Sequence, residues 1–221
     1  AIAAGGYQGK LELTEDLLRV ISAATELSRR DPLGAQVKLS ANCGPIFFDT
    51  SLAWFRTQQD GRTISCIRKG ALELYYSGEQ AINGDGTQTA ASEKVLIRCA
   101  DLLDVAYRAA LESSPQSHQA DGVYTYTLEL DAGRTRQAAC AIAPEAEKLD
   151  VQYLPGTIEL DVKDGKITAL RATVTGDVQI GTVDTPVSIS ASFAFYENMT
   201  KDAYQIPERV LQKLQQEAGI S

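Results

Sequence analysis

Positive charge is scarce in this sequence, and this limits the partners that the protein can bind. Its 221 residues include 21 Lys and Arg against 29 Asp and Glu, which gives a formal net charge of -8. Proteins that bind nucleic acids need clustered basic side chains to neutralise phosphates. The composition therefore predicts that the chain does not bind nucleic acid.

Long apolar runs are also absent. No stretch approaches the roughly 20 apolar residues that a membrane-spanning helix needs, so we expect a soluble chain that meets a membrane only through a lipid anchor upstream of residue 1. Apolar residues make up 44% of the chain, which is enough for a packed core without disulfides or a metal. We expect a monomer.

Motifs of catalysis and metal binding are missing as well. His118 is the only histidine, and it lies in a Ser-, Gln- and Pro-rich stretch that is typical of a surface loop. The sequence contains no G-x-S-x-G elbow, no phosphate-binding G-x-x-x-x-G-K-[ST] loop and no H-E-x-x-H helix. We therefore expect no enzyme activity, no metal site and no cofactor.

The four cysteines form no C-x-x-C pair. A two-residue Asp60-Gly61 turn would place Cys66 opposite Phe55 and leave Cys43 at the far end of the same hairpin, beyond the roughly 7 Å Cα separation that a disulfide allows. Two further cysteines, Cys99 and Cys140, fall on predicted helices. They could form a bridge or remain buried thiols, and both alternatives stay open.

The chain begins with small residues, Ala1 to Gly6, and without an initiator Met. This start is consistent with a processed, exported protein and equally with a cut inside a flexible tail. We expect residues 1–10 to form a flexible tail and residues 11–221 to form a single domain.

Hydrophobic periodicity predicts the order of elements. Spacings of three and four residues predict helices over 14–30, 92–112, 134–142 and 207–218. Alternation with a period of two, bounded by turn residues, predicts four short strands within 36–83, one strand over 123–130 and three longer strands within 158–195. The middle strand, about 166–180, is less regular and is long enough to bend or bulge. Ile167 and Ala169 would face one way, and the residues that would face the other way are Leu170, Ala172, Val174, Val178 and Ile180.

This order predicts the α+β class. We expect antiparallel meanders to form one strongly curved β-sheet, an unclosed half-barrel, with the helices packed on its concave face.

Two features of the sequence resemble the LolA and LppX-type lipoprotein-carrier superfamily. These are an aromatic-rich meander containing Phe47 to Leu52 and a terminal hairpin running from Gly156 to Ile167, both set in the helix and strand order above. The chain is similar to the secreted half-barrel lipoproteins of Gram-positive bacteria, over about 11–214. The resemblance implies a non-enzymatic protein of the cell envelope whose concavity holds an acyl chain or another apolar ligand.

Large apolar side chains on the first meander are the candidate ligand contacts. With the Asp60-Gly61 register, both faces of the hairpin are apolar, so each must be covered or line a cavity. We predict that Trp54, Phe55, Ile64 and Tyr75 line the cavity. The alternative is an anchored structural or protein-interaction module with a filled core and no ligand.

Overall fold

A computed structural model describes residues 15–78, 80–88, 99–112 and 115–216. The predicted tail over residues 1–10 and the predicted helical residues 92–98 lie outside the described residues. The helices are α1 (Glu15–Arg29), α2 (Cys99–Glu112), α3 (Ala132–Ile142), α4 (Lys201–Tyr204) and α5 (Glu208–Gln216), with a 3-10 helix at Pro144–Lys148.

Eleven strands in the described part of the chain form one antiparallel sheet. They are β1 (Leu33–Cys43), β2 (Ile46–Gln59), β3 (Arg62–Lys69), β4 (Leu72–Ser77), β5 (Gln80–Asn83), β6 (Gln116–Ala120), β7 (Val123–Leu130), β8 (Val151–Tyr153), β9 (Gly156–Lys163), β10 (Lys166–Ile180) and β11 (Val183–Phe195). Their spatial order is β5-β4-β3-β2-β1-β11-β10-β9-β7-β6, with β8 paired to β10. The two meanders therefore join where the first strand pairs with the last, and the α+β fold with an unclosed, curved sheet is confirmed.

The Asp60-Gly61 turn fixes the register of the β2–β3 hairpin, as predicted. Asp60 and Gly61 both adopt positive φ, as a two-residue type I′ loop requires. Phe55 is paired with Cys66 and Trp54 with Ile67. Side chains alternate between the two faces of a strand, so Trp54 and Phe55 lie on opposite sides of the sheet.

Three strand assignments differ from the sequence analysis. The last strand of the first meander is split by a turn at Gly78, whose φ is +59°. The predicted loop that carries His118 is strand β6, and all five of its residues are exposed. It pairs only with β7, at the edge of the sheet, so its backbone bonds and not an apolar face hold it in place. β8 was not predicted because it has only three residues.

A bulge in β10 changes which way Ile167 points. The register shifts between Ile167 and Ala169, so that Ile167 is paired with Val162 while Leu170 is paired with Leu160. Both Ile167 and Leu170 are fully buried, whereas Ala169 is only partly so. The extra residue puts Ile167 on the core face, contrary to simple alternation.

Helices cover both faces of the sheet. On the concave face α1, α2 and α3 share one hydrophobic core with strands from both meanders, and they lie mainly over β7, β9, β10 and β11. α5 packs on the convex face of β2 to β5, through Val210, Leu211 and Leu214. The sequence-based placement of helices on the concave face therefore holds for α1 to α3. α5 lies on the other side because the first meander is apolar on both faces.

Candidate functional site: the concave face and its open end

The centre of the concave face is filled by side chains. Seven large apolar or aromatic residues of β7, β9, β10 and β11 are 0% exposed. They are Tyr126, Leu128, Ile158, Leu160, Ile167, Leu170 and Phe193. A side chain with no accessible area borders no space that could hold even a water molecule, so a ligand cavity does not lie between these strands and the helices above them.

Concave residues of β2 pass from buried to exposed along the strand. Trp54 is 3% exposed and Leu52 is 7% exposed, whereas Phe48 is 51% and Ile46 is 66% exposed. These residues alternate on one face, and Phe48 lies six positions before Trp54, a distance of about 20 Å along the strand. The hydroxyl of Thr50, midway along the row, is buried without a hydrogen-bond partner. We call this row, Ile46 to Trp54 on the concave face of β2, the apolar ramp.

The neighbouring strands extend the ramp sideways at its exposed end. On β10 and β11 the concave residues Ile180 and Val183 face each other across the strand pair and are both more than half exposed. Val187 and Ile189 follow on β11, partly buried, and they are paired with Cys43 and Ala41 of β1. The concave face is therefore open and apolar at the end formed by the β1–β2 and β10–β11 hairpins.

Trp54 is the deepest member of the ramp and is fixed by a hydrogen bond. Its indole N–H donates to the phenol oxygen of Tyr76 at 2.9 Å. It is the only tryptophan of the chain, so its fluorescence reports on this position alone.

The structure does not bring the four predicted ligand contacts together. Trp54 belongs to the concave core, while Phe55, Ile64 and Tyr75 belong to the core beneath α5 on the convex face. A single ligand in the concavity would contact only Trp54 of the four. Side chains alternate between the two faces of β2, and this separates Trp54 from Phe55. The sequence analysis did not select Phe48 and Val183, because the apolar pattern of a strand does not show which of its residues are exposed.

Phe55 and Tyr75 lie beside a partly buried polar cluster on the convex face. The Arg68 guanidinium forms an ion pair with Glu73 at 3.0 Å and donates to the carbonyl oxygen of Ala203 at 2.6 Å. It also donates to the Tyr75 hydroxyl at 3.2 Å and lies over the ring of Phe55. These contacts attach the segment before α5 to the sheet.

Burial in this cluster changes two pKa values. It raises the pKa of the Cys66 thiol to about 11 and that of Tyr75 to about 12, because neither charged form would be solvated there. Cys66 is thus an unreactive thiol at neutral pH.

Several clefts open elsewhere on the molecule, and two of them border residues discussed above or lie at the far end of the sheet. Ile64, Leu211 and Leu214 border one of about 350 Å³ between α5 and the β2–β3 turn. The other, of about 260 Å³, lies at the end of the sheet opposite the ramp's exposed end and is lined mostly by polar residues, including Arg30, Lys163 and Lys166. Neither is continuous with the ramp.

Other sequence-based expectations concern histidine and cysteine. His118 lies exposed on the edge strand β6. Among the described residues no group of three or more His, Cys, Asp or Glu side chains could hold a metal ion. Cys43 and Cys66 are free thiols. The Cys99 side chain lies outside the described part of the chain, so its pairing with Cys140 stays a prediction.

The described residues also include no helix that is both long enough and apolar enough to cross a membrane.

Comparisons with known proteins give matches of fold. No protein-family model and no curated protein sequence matches the chain. A LolA superfamily protein from Nitrosomonas europaea is similar over 85% of this chain and 96% of its own, with 8% identity and a TM-score of 0.31. The lipoprotein LppX of Mycobacterium tuberculosis matches over 83% and 97%, with 12% identity and a TM-score of 0.34. A DUF1329 family protein from Desulfovibrio piger matches over 87% and 98%, with 10% identity and a TM-score of 0.30. Solved structures of a LolA superfamily protein and of LppX are therefore among those to which this chain is similar.

Proposed function

We propose that the protein is a non-enzymatic protein of the cell envelope that binds a lipid or another acyl chain on the concave face of its half-barrel. The observation that carries the proposal is the apolar ramp. It joins a buried aromatic residue, Trp54, to the solvent-exposed Phe48 and Ile46 along one strand.

The shape of the ramp suits an elongated apolar ligand. Exposed apolar side chains arranged in a row on one face cost free energy in water, and an acyl chain laid along them would remove that surface from solvent. Phe48, Ile180 and Val183 would contact the part of the ligand nearest the open end. Its inner end would reach Leu52, next to the buried Trp54. Among the sequence-predicted contacts, the ligand role of Phe55, Ile64 and Tyr75 would require a separate site on the convex face.

Native mass spectrometry tests the proposal. The purified protein is extracted with organic solvent, refolded, and offered fatty acids and phospholipids of known chain length. We expect complexes with one acyl ligand per chain and a loss of binding of about tenfold in Phe48→Ser, since each buried aromatic contact contributes on the order of 1–2 kcal/mol. Leu18→Ser is the matched control, because Leu18 is 49% exposed on α1, away from the ramp.

A second candidate function is favoured by a different observation. The centre of the concave face has no accessible surface, as a structural or protein-interaction module with a filled core would have. In this case the protein carries no lipid after purification, takes up none when lipids are offered, and retains protein partners from envelope extracts. The presence of an acyl ligand that depends on Phe48 contradicts this candidate.

Location outside the cytoplasm and anchoring by a lipid upstream of residue 1 belong to the same proposal, as does a monomeric state. Fractionation of cells that make the natural precursor tests the location, and mass analysis of its mature N-terminus tests the anchor. Recovery in the cytoplasmic fraction would contradict the exported carrier.

A further inference from the structure

Exposed apolar side chains are concentrated at the tips of two neighbouring hairpins. The β1–β2 hairpin carries Ile46, Phe47 and Phe48, of which Phe47 is the most exposed at 69%. The β10–β11 hairpin carries Ile180 and Val183. The hairpins are adjacent because β1 is paired with β11, and Cys43 with Val187.

Another exposed apolar side chain, Leu149, lies beside the tip of the β10–β11 hairpin. β8 pairs with β10 so that Val151 lies opposite Val178. Continued by two residues, this register puts Leu149 level with Ile180, and Leu149 is extended and 57% exposed. We call Ile46, Phe47, Phe48, Leu149, Ile180 and Val183 the apolar tip.

Both faces of the β1–β2 hairpin are apolar at its tip. Ile46 and Phe48 point to the concave side, and Phe47, between them, points to the convex side. A protein partner or a single ligand seated in the concavity would cover Ile46 and Phe48 and leave Phe47 in water. A medium that surrounds the hairpin on all sides would cover all three.

Charge at the tip limits what that medium can be. Residues 41–48 and 178–183 carry no charged side chain. The charged residues next to these stretches are all acidic: Asp49, Asp177 and Asp184. Leu149 lies between Lys148 and Asp150, so the charges around the tip are acidic in sum. Surfaces that bind anionic lipids are rich in Lys and Arg, and this one has the opposite sign.

The register also sets the relative heights of the two hairpins. The β10–β11 turn lies about four residues, or about 13 Å, beyond the β1–β2 turn along the strands. Insertion of both tips to one depth therefore requires the strands to be tilted to the membrane normal in the sense that raises the β1–β2 turn, and strands in barrels tilt by about 35–45° to the barrel axis.

From these observations we propose that the apolar tip inserts into the surface of an uncharged, zwitterionic lipid bilayer. Phe47 is the residue that distinguishes this contact from ligand binding, because it lies on the face opposite the ramp. The inference does not depend on the ligand proposal: a bilayer contact needs no ligand in the concavity.

Co-sedimentation with extruded phosphatidylcholine vesicles tests the inference, using the full chain. We expect the wild type to sediment with the vesicles and Phe47→Ser to bind at least about tenfold more weakly, since an inserted phenylalanine buries a large apolar area. Leu18→Ser, the control on α1, should bind like the wild type. Because Phe47 is exposed, its replacement should leave the far-UV circular dichroism and the urea midpoint unchanged.

Lipid charge provides the second arm. At low salt, vesicles that contain phosphatidylglycerol should bind the protein more weakly than phosphatidylcholine alone, because the flanking carboxylates are repelled. The inference is overturned if the wild type does not sediment, if Phe47→Ser sediments as well as the wild type, or if anionic lipid strengthens binding. It is also overturned if Phe47→Ser instead converts a dimer into a monomer, since a second copy would then cover the tip.

Ligand uptake separates this inference from the proposed function. Phe47→Ser should keep acyl-chain binding in native mass spectrometry while losing vesicle binding. Vesicle binding by a protein that takes up no acyl chain would leave the docking inference standing and contradict the ligand proposal alone.

Discussion

The indole N–H of Trp54 on β2 donates to the phenol oxygen of Tyr76 on β4 at 2.9 Å, spanning the intervening strand β3 on the concave face. Both side chains are buried. Because water cannot replace a partner at this position, the bond holds the aromatic residue at the inner end of the ramp in one orientation.

Removal of the Tyr76 hydroxyl should destabilise the protein. Tyr76→Phe leaves the Trp54 N–H buried without its acceptor, and we expect a loss of about 1–2 kcal/mol in the free energy of unfolding, measured by urea denaturation. Tyr107→Phe is the control, because Tyr107 is exposed on α2, and it should change stability by less than about 0.5 kcal/mol. Equal effects of the two substitutions would show that the bond contributes nothing.

The buried Cys66 thiol on the convex face should make the stability of the protein fall in alkali. The Cys66 thiol has its pKa raised from 9.0 to about 11 by burial. The folded chain therefore holds this proton more tightly than the unfolded chain does. The resulting stability is fully present below pH 9 and is lost as the pH rises towards 11.

Urea midpoints measured from pH 8 upwards check this expectation. Tyr75, whose pKa is raised from 10.0 to about 12, acts in the same direction at higher pH. Cys66→Ala removes the thiol contribution, so its stability should fall less steeply than that of the wild type between pH 9 and 11. Parallel curves for the two proteins would exclude the buried thiol as a cause.

Shortening the Leu214 side chain of α5 should make the Cys66 thiol more accessible. Leu214 is 1% exposed in the convex core, and Leu214→Ala should cost about 2–4 kcal/mol. The reaction of Cys66 with a thiol reagent at pH 8 should accelerate as the cover over β2 to β5 loosens. Both proteins carry Cys43→Ala, Cys99→Ala and Cys140→Ala so that Cys66 is the one thiol followed. An unchanged rate in Leu214→Ala would mean that α5 does not protect Cys66.

An ion-pair cluster on the outer face should stabilise the protein at neutral pH and lose this effect in acid. Arg171 donates two hydrogen bonds to Asp161 at 2.7 Å and one to Glu159 at 2.8 Å, which link β10 to β9. These bonds lower the pKa of the Asp161 carboxyl. The stability that they supply is present above 3.8, the ordinary pKa of the group, and is lost as the pH falls below it.

Arg171→Gln measures this contribution. We expect a loss of about 1 kcal/mol at pH 7, since the pair is only partly buried, and a difference from the wild type that shrinks as the pH falls below 4. Arg108→Gln breaks the exposed Arg108–Asp104 pair of 2.9 Å and should have almost no effect at either pH. A difference that persists unchanged at low pH would contradict the assignment to Asp161.

Local turn chemistry explains why much of the fold could be predicted. Asp60-Gly61 and Asp164-Gly165 both adopt positive φ in two-residue turns, and each turn fixes the pairing of its hairpin. Edge strand β6 could not be predicted, because its Gln116–Ala120 sequence has no apolar alternation and the backbone alone pairs it with β7.

The candidate site was less predictable than the fold. Alternation shows that Trp54 and Phe55 point to opposite faces, but it does not show which face a helix covers. Which face is covered depends on α5, which packs on the convex face of the first meander. This helix lies far along the chain: the Arg62 guanidinium donates to the carbonyl oxygen of Leu214, 152 residues later. The exposure of Phe48 depends likewise on where the helices over the sheet end.

Fluorescence of Trp54 tests the ligand proposal most directly. An acyl chain brominated near its methyl end, lying along the ramp, should quench the single tryptophan in a saturable manner, and Phe48→Ser should weaken this binding by about tenfold while Leu18→Ser leaves it unchanged. Absence of quenching at every ligand concentration, or quenching that Phe48→Ser does not weaken, would contradict the binding of an acyl chain on the concave face.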